Sequence, residues 1–153
     1  MQTNHRLVAR ARTTAALTAA LTLGALAGAG PAAAHVHVDS DDAVRGDNAI
    51  VTFQVPNESE KGSATTQVTI LLPDVASAST EVISGWTAKL DRDPGNGGYR
   101  SVTFTAAPNA GIGPDQFARF PISIQLPNTD SVSFPVVQTY ADGTTVRWDQ
   151  PTP

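Results

Sequence analysis

The sequence predicts an all-β fold, an antiparallel, immunoglobulin-like β-sandwich with about seven to nine short strands. Three observations predict it. Apolar residues recur at every second position over short runs. Clusters of Pro, Gly, Asn and Asp separate those runs. Nothing after residue 34 carries the periodicity of a long amphipathic helix.

Taken in chain order, Val51, Phe53 and Val55 share one strand face, with Thr52 and Gln54 on the other, and Pro56-Asn57 ends the run. Val68, Ile70 and Leu72 repeat the pattern up to Pro73-Asp74. Asp93-Pro94-Gly95-Asn96-Gly97-Gly98 is a loop; with no helix after it, its glycines make no phosphate cradle. Val102 and Phe104 follow, closed by Pro108-Asn109. Gly113-Pro114 begins a short turn that reaches Phe117, and Phe120, Ile122, Ile124 and Leu126 form the next inward-facing row before Pro127-Asn128. Asp142-Gly143 between Val136–Tyr140 and Thr144–Trp148 signals a tight hairpin. Pro121 and Pro135 have no N–H for a ladder and are expected at strand starts or edges. There is no internal repeat.

Residues 1–34 have the parts of a secretory signal. Arg6, Arg10 and Arg12 supply the positive start, Ala15 to Ala29 is uncharged and rich in Ala and Leu, and Ala32-Ala33-Ala34 offers an A-x-A cleavage site behind Pro31. Cleavage after Ala34 is expected, which leaves 35–153 as one secreted, extracytoplasmic domain that begins with His35. No second apolar span follows, so no membrane anchor is expected in the mature chain.

Composition narrows the chemistry. Three of the ten Lys and Arg lie in the leader and none of the fourteen Asp and Glu does, so 35–153 carries 7 − 14 = −7 with His neutral. Such an acidic domain suits cations and is a poor partner for nucleic acid or anionic lipid. There is no Cys, which excludes a blue-copper thiolate site, and the single Met is Met1, which excludes a thioether site for Cu(I) once the leader is gone. A metal bound here uses nitrogen and oxygen, which favours Cu(II).

After cleavage, the remaining histidines, His35 and His37, occupy the first and third positions. Two imidazoles on one side of an edge strand are ordinarily just solvated. A histidine at a new N-terminus adds an α-amine to its imidazole; such groups ordinarily titrate near pH 8 and 6.5, so both yield their proton to a metal at neutral pH. Two geometries compete. In a brace, the His35 amine and ring bind the metal and a carboxylate from another strand joins them. In an amide-bound plane, the amine, two deprotonated backbone amides and the His37 ring supply four nitrogens, which suits Cu(II) or Ni(II). The brace is favoured, because the plane needs amides free of sheet hydrogen bonds. Glu58, at the end of the Val51–Val55 strand, is one candidate carboxylate; Asp39, Asp41 and Asp42 read as a solvated acidic face. Trp148 and Trp86 read from pattern as core or rim residues, with a wall over a cation as the functional alternative for Trp148. No triad or carboxylate pair is present, so no enzyme is expected.

Several runs resemble the YcnI-like extracytoplasmic copper-binding domains: His35-Val36-His37-Val38, Val55-Pro56-Asn57-Glu58-Ser59, Thr65-Thr66-Gln67-Val68, Gly85-Trp86, and Gly111-Ile112 with Gln116-Phe117. The most specific is Phe134-Pro135-Val136-Val137-Gln138-Thr139-Tyr140 with Asp142-Gly143 and Val146-Arg147-Trp148. The resemblance covers nearly all of 35–153. It implies a cupredoxin-like sandwich that binds Cu(II), with the family's terminal histidine on His35, its carboxylate on Glu58 and its site tryptophan on Trp148. It also implies a role in copper acquisition, delivery or sequestration, often beside other copper-uptake genes. The partners it implies are the copper ion and a membrane copper importer or another extracytoplasmic copper protein. Two departures stand out. His37 occupies a position where the family usually has Thr or Ser, which leaves the amide-bound plane open; in the brace His37 would be an extra ligand, a support for the ligands, or simply exposed. Many relatives also end in a membrane anchor, whereas this sequence stops at Pro153. The competing expectations are a sandwich used for adhesion or protein contact and, ranked below it, a terminal-histidine copper oxidase or oxygenase, which the lack of a distal second histidine disfavours.

Overall fold

The alternating runs become the strands of two facing sheets. The structure is a computed structural model that describes residues 35–149 and the backbone of 151–152. The expected signal peptide, residues 1–34, lies outside the described residues. Within the unit Ala34–Pro153, the strands are β1 (His37–Ser40), β2 (Asn48–Pro56), β3 (Thr65–Val75), β4 (Ala78–Thr80), β5 (Trp86–Arg92), β6 (Tyr99–Ala106), β7 (Phe117–Gln125), β8 (Val132–Ser133), β9 (Val136–Tyr140), β10 (Thr145–Trp148) and β11 (Pro151–Thr152). One sheet has the order β1-β2-β7-β4 and the other β10-β9-β3-β6-β5, every pairing antiparallel; β8 and β11 form a separate two-stranded ladder. The described residues include no helix, and the expected turn falls at Pro114–Asp115.

Period-two patterning decides which side of each strand is buried. Val51, Phe53 and Val55 of β2, Val68 and Ile70 of β3, Val102 and Phe104 of β6, and Phe120, Ile122 and Ile124 of β7 are all essentially inaccessible to solvent. They meet between the sheets, where Phe104 lies against Phe120 with ring centroids 4.8 Å apart. Trp86 follows Gly85, whose φ of +81° favours glycine, and puts its indole edge-on against Phe120 at 5.1 Å. The core reading of Trp86 is therefore the right one. Burying side chains of this size contributes about 1.5–3 kcal/mol each, and this is what offsets the ordering cost without a disulfide.

The hairpin at Asp142-Gly143 forms as its residues demand. Gly143 takes φ +87°, the Tyr140 and Thr144 backbones close the turn, and the Asp142 carboxylate accepts from both the N–H and the hydroxyl of Thr144. Pro135 does precede a strand, β9. Pro121 departs from expectation: it lies in the middle of β7, a strand paired on both sides. The reason is where its missing N–H points. In an antiparallel strand a residue's N–H and C=O point the same way. The Pro121 carbonyl accepts from Glu81 N–H on the β4 side, just past the last β4–β7 pair, Thr80 with Ile122. The absent donor thus faces the open end of that ladder.

One irregularity bears on the site. The pairing of β3 with β9 shifts register between Thr65 and Gln67. Counting back by twos from Ile70 and Val68 would turn Thr66 inward. The bulge instead turns Thr65 inward, where it is fully buried, and leaves Thr66 and Gln67 half-exposed.

Candidate metal site

β1 and β10 are the edge strands of their respective sheets. His35 precedes β1 and Trp148 ends β10, and the two rings meet: their centroids are 5.6 Å apart with planes at 84°, an edge-to-face contact. Val36, between the two histidines, is 7% exposed and belongs to the core cluster, whereas His35 and His37 are both exposed. The buried valine thus pins the arm and directs both imidazoles away from the core.

Trp148 is half-buried and packs against the core, and its indole N–H donates to the side-chain oxygen of Gln138 at 3.1 Å. In the β9–β10 ladder Gln138 lies opposite Val146, so Trp148 reaches it along the diagonal two residues on. Trp148 and Glu58 line one cleft of about 240 Å³, together with Lys61, Tyr140 and Asp142. His35 lines a neighbouring groove between β1 and residues 126–134. Trp148 is the side chain that relates the two, because it touches the His35 ring and lines the cleft that holds Glu58.

Glu58 owes its position to its backbone rather than its carboxylate. Its N–H donates to the Tyr140 hydroxyl at 3.2 Å. The preceding Asn57 is a clamp: its amide donates to the carbonyls of Ser63 and Ile112, both at 2.8 Å, while its carbonyl accepts from Ser59 N–H at 2.8 Å. The position of Glu58 does not depend on a carboxylate contact with any of the described residues. On the rim of the same cleft, the Asp142 carboxyl is held below its ordinary range by the Thr144 hydroxyl and N–H, with a smaller contribution from Lys61.

His37 lines the same groove as His35. It pairs with Gln54 across the β1–β2 ladder and projects with the exposed residues of β1. Asp39, Asp41 and Asp42 are exposed. Among the described residues no three His, Cys, Asp or Glu side chains gather as a metal cluster. A brace does not need three, because one terminal histidine supplies two donors and a single carboxylate completes the set. The available donors are nitrogen and oxygen, since the chain has no Cys and its only Met is Met1. Nitrogen and oxygen donors therefore stand near Trp148, with His35 and Glu58 lining different pockets.

The inward-facing polar residues of β9 were missed from the sequence. Gln138 is completely buried, and its amide donates to the Thr65 hydroxyl at 2.7 Å and to the Pro56 carbonyl at 2.8 Å. The signal was present: Gln138 occupies an inward position between Val136 and Tyr140, and a polar side chain there needs partners.

A family model described as a domain of unknown function, DUF1775, matches residues 35–153. Among solved structures, the chain is similar to an uncharacterized protein from Nocardia farcinica whose crystal structure reveals an immunoglobulin-like fold. The two are 50% identical with a TM-score of 0.72 over 78% of this chain and 86% of that one. A weaker likeness is to the Iho670 flagellar-like filament, at 12% identity over 88% and 90% of the two chains; its TM-score of 0.26 carries no argument. No curated protein matches.

Proposed function

We propose that this chain, which belongs to the DUF1775 (YcnI-like) family over residues 35–153, is an extracytoplasmic Cu(II)-binding protein that acquires, delivers or sequesters the ion. The observation that carries this reading is the edge contact of His35 with Trp148, beside the cleft that Trp148 shares with Glu58. Removal of the leader after Ala34 frees the α-amine of His35. That amine and the imidazole are the nitrogen donors, Glu58 supplies an anionic oxygen, and Trp148 shields one side of the ion from water. Copper is cargo here, and the role is binding and transfer rather than catalysis. Beyond the leader the chain holds no histidine besides His35 and His37, so turnover would have no distal base. The acidic 35–153 domain attracts cations.

The experiment has two stages. Mass spectrometry of the secreted product is expected to give an N-terminus at His35. Calorimetry with Cu(II) at 100 times its dissociation constant is then expected to raise stability by about 2.7 kcal/mol, a gain that His35→Ala abolishes. An uncleaved leader, or a melting temperature indifferent to Cu(II), overturns the reading in favour of an adhesion or contact module.

A further inference from the structure

We infer that Gln138 is a positioning residue that fixes the Trp148 wall and ties it to the strand end that leads into Glu58. The inference rests on the copper reading for its consequence, but its geometry stands in the metal-free protein. Gln138 points inward from β9 and makes three hydrogen bonds at this end of the sandwich, using both of its N–H donors. Its oxygen accepts from the Trp148 indole, while its two amide hydrogens go to Thr65 in its own sheet and to the Pro56 carbonyl in the opposite sheet. Pro56 is the last residue of β2 and lies two before Glu58. One side chain therefore joins the wall, the facing sheet and the approach to the carboxylate. Two residues along the same strand face, Tyr140 accepts from Glu58 N–H. β9 is thus a shelf on which both non-histidine parts of the site are set.

The network is specific to the amide. Glutamine alone among the uncharged side chains of this length offers an acceptor oxygen and two N–H donors in a fixed plane, and the oxygen and both hydrogens are engaged here. No buried side-chain polar atom among the described residues lacks a partner. The β3 bulge adds a second, independent sign of construction. It turns Thr65 inward against the strand's own period, and the hydroxyl it brings in meets Gln138. An indole held at its N–H keeps its perpendicular contact with the His35 ring and does not reach for solvent. Without that hold, Trp148 at the end of an edge strand samples other rotamers, and the copper site loses its fixed wall.

The test uses the chain beginning at His35, first without metal. Hydrogen exchange of the Trp148 indole proton is followed by NMR, its signal assigned by its absence in Trp148→Phe. In Gln138→Leu that proton is expected to exchange at least tenfold faster than in wild type. With Cu(II), the dissociation constant of Gln138→Leu is expected to rise about fivefold, the worth of one net hydrogen bond of about 1 kcal/mol. Gln138→Leu combined with Trp148→Phe should then be no weaker than Trp148→Phe alone. Unchanged indole exchange, or additive losses in the double variant, overturns the inference. If Gln138→Leu does not fold, Thr65→Val, which removes only the hydroxyl beneath the amide, is read by the same exchange rate; a rate equal to wild type also overturns it. The metal-free measurement decides the role of Gln138 even where wild type binds no copper, so the two failures are told apart.

Discussion

His37→Ala separates the brace from the amide-bound plane, and the structure sets the size of the difference. In β1 the chain is extended and His37 pairs with Gln54. His37 begins the ladder and Val36 before it is packed in the core, so the nitrogens of 35, 36 and 37 are not free to wrap around one ion. Closing the plane means leaving the ladder and swinging Val36, 7% exposed and part of the core, out from between the sheets. Exposing a valine side chain costs about 1.5–3 kcal/mol, and at 1.4 kcal/mol per decade this lowers affinity about ten- to a hundredfold. The brace leaves β1 intact and avoids that loss. His37→Ala is therefore expected to change Cu(II) affinity less than threefold, while His35→Ala loses tight binding. The assay is competition titration of the chain beginning at His35, with EPR of the loaded protein. A tenfold or greater loss in His37→Ala, together with an EPR signature of four in-plane nitrogens that disappears in that variant, would refute the reasoning. So would tighter binding in a variant that loosens the arm, such as Val36→Ser.

Three further outcomes follow. Glu58→Gln is expected to weaken Cu(II) binding with little change in melting temperature, because Tyr140 holds Glu58 by its backbone N–H; equal copper affinity would remove Glu58 from the site. Asn57→Ala removes the clamp of three hydrogen bonds beneath Glu58 and is expected to cost about 2–3 kcal/mol in urea unfolding, with copper affinity falling alongside. Asp142, whose folded carboxyl is depressed by Thr144, stabilises the hairpin only when ionised. That stabilisation is present above the ordinary carboxylate range and lost as pH falls through the lowered folded value. The melting difference between wild type and Asp142→Ala is expected to shrink from pH 7 toward pH 3, and a difference that grows on acidification would contradict the assigned cause.

Much of the fold was legible because burial on a strand is a period-two signal carried by the residues themselves. Phe53, Ile70, Phe104 and Ile122 could be assigned to one core before any strand was paired, and Asp142-Gly143 fixed its hairpin locally. Pro121 was misplaced because a proline's tolerance depends on which neighbour its missing donor faces, and that neighbour, β4, lies far away in sequence. For the site, the sequence offered His35, Glu58 and Trp148 separately. It could not show that the His35 and Trp148 rings meet at a right angle, that Glu58 shares the Trp148 cleft, or that His37 lines one groove with His35 beside Gln54.

The sequence by itself determined the alternation, the turns, the sulfur-free donor set and the acidic charge of 35–153, all properties of residues and their near neighbours. The tertiary structure decided what stands beside Trp148, with His35 in ring contact and Glu58 in its cleft. That depends on two edge strands from different sheets meeting at one end, and on a bulge that turns Thr65 toward Gln138. Both are long-range consequences of packing that no local pattern encodes.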